Sequence, residues 1–144
     1  GCVAVTDPSG GSDLIGMQTH AELKGDKWIL NGRKCFITNS HTSDFWIVIA
    51  KTGEGSKGLS AFIVRKDFPG AKAGRKENKM GLRGANTGEL IFDDCEVPND
   101  HLLGAAGAGF VVGLLILLGG MVLYYTSRGK RPSSSMEFIL NGKK

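Results

Sequence analysis

Thr6-Asp7-Pro8-Ser9-Gly10-Gly11-Ser12-Asp13 is the stretch on which the reading of this 144-residue chain turns. A short apolar run, Cys2 to Val5, leads into it, and a second alternating run follows. Two adjacent glycines among small hydroxyl residues leave backbone N–H groups bare, free to converge on phosphate or carbonyl oxygens. The same octapeptide also reads as a tight turn between two strands, which is the simpler account of eight residues in isolation. The sequence around it decides between the two.

Met17 to Leu23 reads as a strand, Gly25-Asp26 as a turn and Lys27 to Leu30 as a strand again. Asn31-Gly32 is the strongest short hairpin signal in the chain, because a type I′ turn needs positive φ at both central residues. Arg33 to Thr38 is then the return strand, with Cys35 and Ile37 on one face and Phe36 and Thr38 on the other. The run Phe45-Trp46-Ile47-Val48-Ile49-Ala50 is apolar on both faces, as a buried strand requires. Leu59 to Val64 and Glu89 to Asp93 are further strands, Phe68-Pro69-Gly70 is a turn, and Met80 to Thr87 is irregular. Short strands broken by turn chemistry predict a mainly β fold, an antiparallel barrel or sandwich. No βαβ alternation occurs, so Gly104, Gly107 and Gly109 lack the strand–turn–helix setting of a dinucleotide fingerprint and read as a loop.

Composition narrows the function. An apolar content of 41% suits one domain with a real core. The net charge of +4 is spread without a basic stripe, which argues against a nucleic-acid partner. Cys2, Cys35 and Cys95 are scattered, with no C-x-x-C and no histidine at ligand spacing. They are read as small hydrophobes in a reducing compartment, with no metal site. Gly1-Cys2-Val3 carries neither an initiator Met nor a signal-peptide pattern and reads as a cut edge.

Leu102 to Ser127 changes character, having no charged residue, and Phe110 to Tyr125 is apolar on every side of any helix drawn through it. A bilayer core needs about 20 apolar residues, so a membrane span is one reading, with Arg128, Lys130 and Arg131 as its basic flank. Six glycines between Gly104 and Gly120 count against it.

Several motifs in order resemble the flavin-dependent acyl-CoA dehydrogenases, in particular their central β-barrel domain. They are Val5 to Asp13, Leu30-Asn31-Gly32-Arg33-Lys34, Phe36-Ile37-Thr38-Asn39, Gly58 to Val64 and Pro69-Gly70. Lys79 to Thr87, Glu89 to Pro98 and Leu103-Gly104 complete the set, and short-chain and branched-chain members look most similar. The resemblance implies an FAD cofactor, an acyl-CoA substrate desaturated between its α and β carbons, and electron-transfer flavoprotein as electron acceptor. It implies cofactor contacts at Val3, Ala4, Val5, Thr6, Gly10, Gly11, Ser12, Phe36, Ile37 and Thr38, with Ser12 also touching substrate. Thr6 would face the ring's pyrimidine oxygens, the two glycines the pyrophosphate, Phe36 the isoalloxazine, and Thr38 the neighbourhood of N5. Each position also has a plainer reading, with Phe36 as core and Thr38 as a strand hydroxyl.

Asp7 stands where the family commonly has Glu, a departure from which little consequence is expected. Two polar residues that meet acyl-CoA in the family fall on Leu118 and Met121 here, and the family's catalytic carboxylate belongs to a helical domain absent from this sequence. No catalytic residue is therefore expected in this chain. The domain reading is a middle barrel over 1–104, an apolar helix over 105–127 and a polar tail over 128–144. The helix is read first as a truncated or frame-altered start of the next domain, then as a membrane span, then as a soluble bundle helix. Family members are usually tetramers, and mitochondrial matrix and bacterial cytoplasm are both compatible; the alternative function is a non-catalytic barrel tethered to a membrane.

Overall fold

The computed structural model describes residues 1–128, so the polar tail expected over 128–144 lies outside them from residue 129 on. Seven strands form one sheet: β1 (Cys2–Ala4), β2 (His20–Lys24), β3 (Lys27–Thr38), β4 (Phe45–Lys51), β5 (Leu59–Arg65), β6 (Ala71–Lys76) and β7 (Thr87–Pro98). The order is β1-β4-β2-β3-β7-β6, with β5 pairing β4. Every pairing is antiparallel except β1 and β2 on β4, which are parallel.

The sheet curls because its inner side chains meet across it. Trp28 of β3 packs edge-on against Phe62 of β5, ring centroids 5.4 Å apart, and Trp46 of β4 against Phe92 of β7 at 6.2 Å. Neither pair of strands is hydrogen-bonded in the sheet, so the aromatics close a common core with Leu30, Val48, Val64, Leu90 and Val97. Each buried aromatic takes some 150–250 Å² from water, which is ample reason for a half-barrel over a flat sheet. The expected mainly β, antiparallel barrel of short strands with a helix after it is thus borne out, although β3 and β7 run to twelve residues each.

Three local readings need correction or addition. Gly25-Asp26 is the hairpin turn, joining Lys24 to its partner Lys27 with Gly25 at φ +66. Asn31-Gly32 is not a turn, since β3 runs straight through it. The pairing with β7 slips between Leu30 and Gly32, where Asp93 and Asp94 of β7 stand against Asn31 alone, so the dipeptide lies opposite a bulge in β7; Gly32 takes a positive φ there, +142, and Asp94 one of +47. Asn31 secures the bulge through its amide, which donates to Asp94 Oδ1 and accepts from the Asp94 N–H. The strand β6, Ala71–Lys76, has no apolar alternation by which the sequence could announce it.

Among the described residues the three cysteines are unpaired, as expected, and burial pushes the Cys95 thiol up to about 12. Gly104 and Gly107 do form a loop, with φ of +74 and +86, and Gly107 donates its N–H to Ser60 Oγ. The helix α1 spans Gly109–Arg128. Residues 1–113 make one compact unit, and a second begins at Leu114. Among the described residues no helix is long and apolar enough to cross a membrane, so the membrane tether over 105–127 is without support.

Candidate functional site

The loop that opens the chain's reading is fastened to β3 by backbone and side chain together. The Thr6 carbonyl accepts the Cys35 N–H at 2.8 Å, placing the loop one residue from Phe36. Beside that bond, Lys34 Nζ donates to the Val5 carbonyl at 2.9 Å and to Asp7 Oδ1 at 2.6 Å. Residues 5–7 and 34–36 therefore form one surface, and the two motifs read separately in the sequence are brought together.

Asp7 is the residue whose weight the sequence does not reveal. Its carboxylate is buried and gathers four donors: the Lys34 ammonium, the Gln18 and Thr19 N–H groups and the Thr19 hydroxyl. The Lys34 and Asp7 side chains are 0% and 1% exposed, so the pair is out of water. Burial alone raises the Asp7 carboxyl, but the Lys34 hydrogen bond and charge, with the Thr19 and Gln18 amides, outweigh it and hold it below the ordinary 3.8. Burial also draws Lys34 below the ordinary 10.5 against the pull of Asp7. With four donors on one carboxylate, the ionised form of Asp7 is the one the fold favours.

The sign of the acid response follows. A carboxyl lowered by folding adds stability above its unfolded pKa and loses it as pH falls through the folded one. The urea midpoint is expected to hold near neutrality and to drop below about pH 4. The Asp7→Asn variant should lose most of that drop in parallel measurements, and an identical acid slope in the two proteins would rule out Asp7 as its source.

Not every expected contact residue can offer its side chain. Ala4 and Ile37 point into the core, at 0% and 3% exposed, so only their backbones can face a ligand. Val3, Ser12, Phe36 and Thr38 are exposed, while Val5 and Thr6 are half-buried. Phe36 is 67% exposed at φ +58, where the pairing of β3 slips again between Lys34 and Ile37. That second bulge keeps Cys35 and Ile37 inside and Phe36 and Thr38 outside, as the alternation predicts, yet also turns Lys34 inward. The Gly10 N–H is not bare, because it donates to the Asp7 carbonyl at 3.1 Å. The Gly11 and Ser12 N–H groups make no hydrogen bond among the described residues.

Around Thr6 the groups left over are donors, the Thr6, Gly11 and Ser12 N–H groups together with the Thr6 hydroxyl. The carbonyls of Val5, Thr6 and Asp7 are each taken, by Lys34 Nζ, the Cys35 N–H and the Gly10 N–H respectively. A Cβ added at Gly11 would sit 3.4 Å from the Thr6 hydroxyl, so the bare glycine keeps that approach open. Donors beside an exposed aromatic ring suit a flat, anionic cofactor with oxygen acceptors, and FAD fits that set. A hollow of about 680 Å³ lined by Asp44, Phe45, Arg65, Asp67 and His101 lies elsewhere, and includes neither Thr6 nor Phe36. Among the described residues no cluster of His, Cys, Asp and Glu could hold a metal ion.

Residues 2–95 match the family model described as acyl-CoA dehydrogenase, middle domain. The chain is 50% identical over 110 residues to cyclohex-1-ene-1-carbonyl-CoA dehydrogenase of Geobacter metallireducens, covering 75% of this chain and 29% of that protein. It is 42% identical over 124 residues to the mitochondrial short-chain specific acyl-CoA dehydrogenase of Homo sapiens, covering 85% of this chain and 30% of that one. An acyl-CoA dehydrogenase of Bacillus anthracis, solved in complex with FAD, superposes with a TM-score of 0.74 at 43% identity, covering 81% of this chain and 20% of that one. The chain thus spans less than a third of the length of these relatives.

Proposed function

This chain belongs to the acyl-CoA dehydrogenase family through its middle domain, and on that premise we propose that it is the wall against which FAD and the thioester end of an acyl-CoA are held. The observation that carries the reading is the bond between the Thr6 carbonyl and the Cys35 amide, which joins the glycine loop to the strand bearing Phe36 and Thr38. The Thr6 hydroxyl and the Gly11 and Ser12 amides would receive the cofactor's oxygens. Phe36 would lie flat beside the ring, and Thr38 would donate near its reactive nitrogen. The Val3, Ala4, Val5 and Ile37 backbones line the same stretch, and Ser12 would reach the thioester.

The chemistry a bound FAD supplies is acceptance of a hydride from the substrate's β-carbon. The work of this chain is then positional and electrostatic: fixed donors meet negative charge without reorganising, the largest kind of contribution a protein makes to such a step. Removal of the α-proton is assigned to no residue here, so the catalytic base comes from outside residues 1–128. Electron-transfer flavoprotein as acceptor, a tetrameric assembly and a mitochondrial or bacterial setting complete the proposal; mitochondrial and bacterial enzymes both occur among the relatives. In the same reading 105–127 is the start of the domain that follows the barrel, altered in having Leu118 and Met121.

Two measurements test it. Residues 1–104 exchanged into the Geobacter relative should leave flavin absorbance at one equivalent per subunit, and a folded chimaera without flavin would overturn the proposal. The chain by itself presents only one face to the ring, so FAD is expected to bind it weakly or not at all. Gel filtration with excess FAD should yield a colourless protein peak, and a yellow one would show that a single face suffices.

A further inference from the structure

We propose that Asp7 and Lys34 are positioning residues for the flavin-facing wall, the buried pair that sets where the Thr6 hydroxyl and the Gly11 and Ser12 amides point. The inference rests on the reading above and adds to it the device that aims the donors.

The loop has no packing of its own to hold it: Ser9 to Asp13 are exposed, and a Cβ at Gly10 would meet nothing within 4 Å. What fixes its geometry is that every acceptor in its first three peptides is engaged from behind. Lys34 Nζ reaches past Asp7 to the Val5 carbonyl, so one ammonium grips the chain on both sides of Thr6. The Thr6 carbonyl is held by the Cys35 N–H, the amide that follows Lys34. Asp7 in turn ties the loop to the segment before β2 through the Gln18 and Thr19 N–H groups, while its carbonyl receives the Gly10 N–H and folds the glycines back over it. With the carbonyls turned inward, Thr6 keeps its hydroxyl and its N–H, neither of them engaged by a hydrogen bond among the described residues. A peptide flip at Thr6 would have to break the Cys35 bond while its neighbours stay clamped at Val5 and Asp7.

The pair lies beneath the wall, not on it. Both side chains are buried, and Lys34 also contacts Met17 Sδ at 3.6 Å, so neither can touch a ligand. Its part is therefore indirect. Removing it should loosen the loop while leaving the aromatic core intact, since Trp28 packs on Phe62 and Trp46 on Phe92.

The test compares the full chain with an Asp7→Leu/Lys34→Met double variant, in which an apolar pair of similar bulk keeps the space filled. Amide exchange by mass spectrometry should show protection of the Gly10 and Cys35 N–H groups falling tenfold or more, with β4 and β5 amides unchanged. Lys34→Arg, which keeps the charge and several donors, should restore much of it. If the double variant does not fold, Thr19→Val removes the hydroxyl's bonds to Asp7 and its longer one to the Arg33 carbonyl, leaves the Lys34 pair in place, and should give a smaller loss in the same amides. Unchanged protection at Gly10 and Cys35 in a folded variant would overturn the inference. The chimaera separates this from the functional reading. If the unaltered chimaera holds no flavin, that reading fails while the exchange result stands; if it holds flavin and the double variant holds it as tightly, the positioning role fails.

Discussion

Replacing Lys34 alone by methionine is expected to destabilise the folded chain by about 3–5 kcal/mol, the usual cost of stranding one partner of a buried ion pair. The loss is not that of one contact. Asp7 would keep its charge inside the protein with the Gln18 and Thr19 amides and the Thr19 hydroxyl as its remaining donors, and the Val5 carbonyl would lose its partner. A typical domain is stable by only about 5–15 kcal/mol, so the effect would be plain in a urea titration. The double exchange of both partners for apolar residues should recover most of it, because the desolvation cost disappears along with the attraction. A single Lys34→Met variant within about 1 kcal/mol of the parent would mean the pair is solvated in solution, as surface pairs are.

Gly32→Ala is expected to cost on the order of 3 kcal/mol, for two reasons that act at one atom. The backbone at φ +142 is one that residues with a Cβ rarely adopt, worth roughly 1–3 kcal/mol by itself. The added Cβ would also lie 2.7 Å from both Cα and Oγ1 of Thr19, and the first of these is backbone that cannot swing away. Thr19 is the residue whose amide and hydroxyl both serve Asp7, so the strain would travel into the buried network. The expected signature in thermal unfolding is a lowered midpoint accompanied by faster exchange of the Gly10 amide. Gly10→Ala is the natural comparison: it shares a positive φ, at +148, but has nothing within 4 Å of its Cβ. It should cost less, and equal losses at the two positions would show that conformation alone, not the approach of Thr19, sets the penalty.

Much of this architecture can be read from the residues, and the failures have identifiable causes. Alternation in Cys35-Phe36-Ile37-Thr38 shows which side chains face inward, and that survives in the fold. Asn31-Gly32 misleads because its glycine does take a positive φ, yet inside a strand opposite the Asp93-Asp94 bulge of β7, and only the pairing partner across the gap tells that from a hairpin turn. The burial of Lys34 is hidden for a related reason: the bulge at Phe36 breaks the period-two count, so a lysine that should share the outer face ends inside. Asp7 is hidden by composition, since an aspartate in a Pro-Gly-rich loop is ordinarily a solvated turn residue. Its partners, eleven or more positions away, emerge only in three dimensions. What the motifs alone did indicate is that loop and strand belong together, and the Thr6–Cys35 bond is where they meet.

The long pairing of β3 with β7 carries a consequence for how the chain reaches its native state. These strands join Lys27 to Pro98 at one end and Thr38 to Thr87 at the other, the ion-paired Lys27 and Glu96 being 69 positions apart. A nascent chain therefore exposes an open edge along β3 until β7 has left the ribosome, and the closure of that large loop is entropically uphill before any contact rewards it. Refolding should accordingly fall in the millisecond-to-second range of strand-rich domains with distant partners. The vulnerable interval for misassembly is the one in which β2 to β5 have formed and await the strand that seals them.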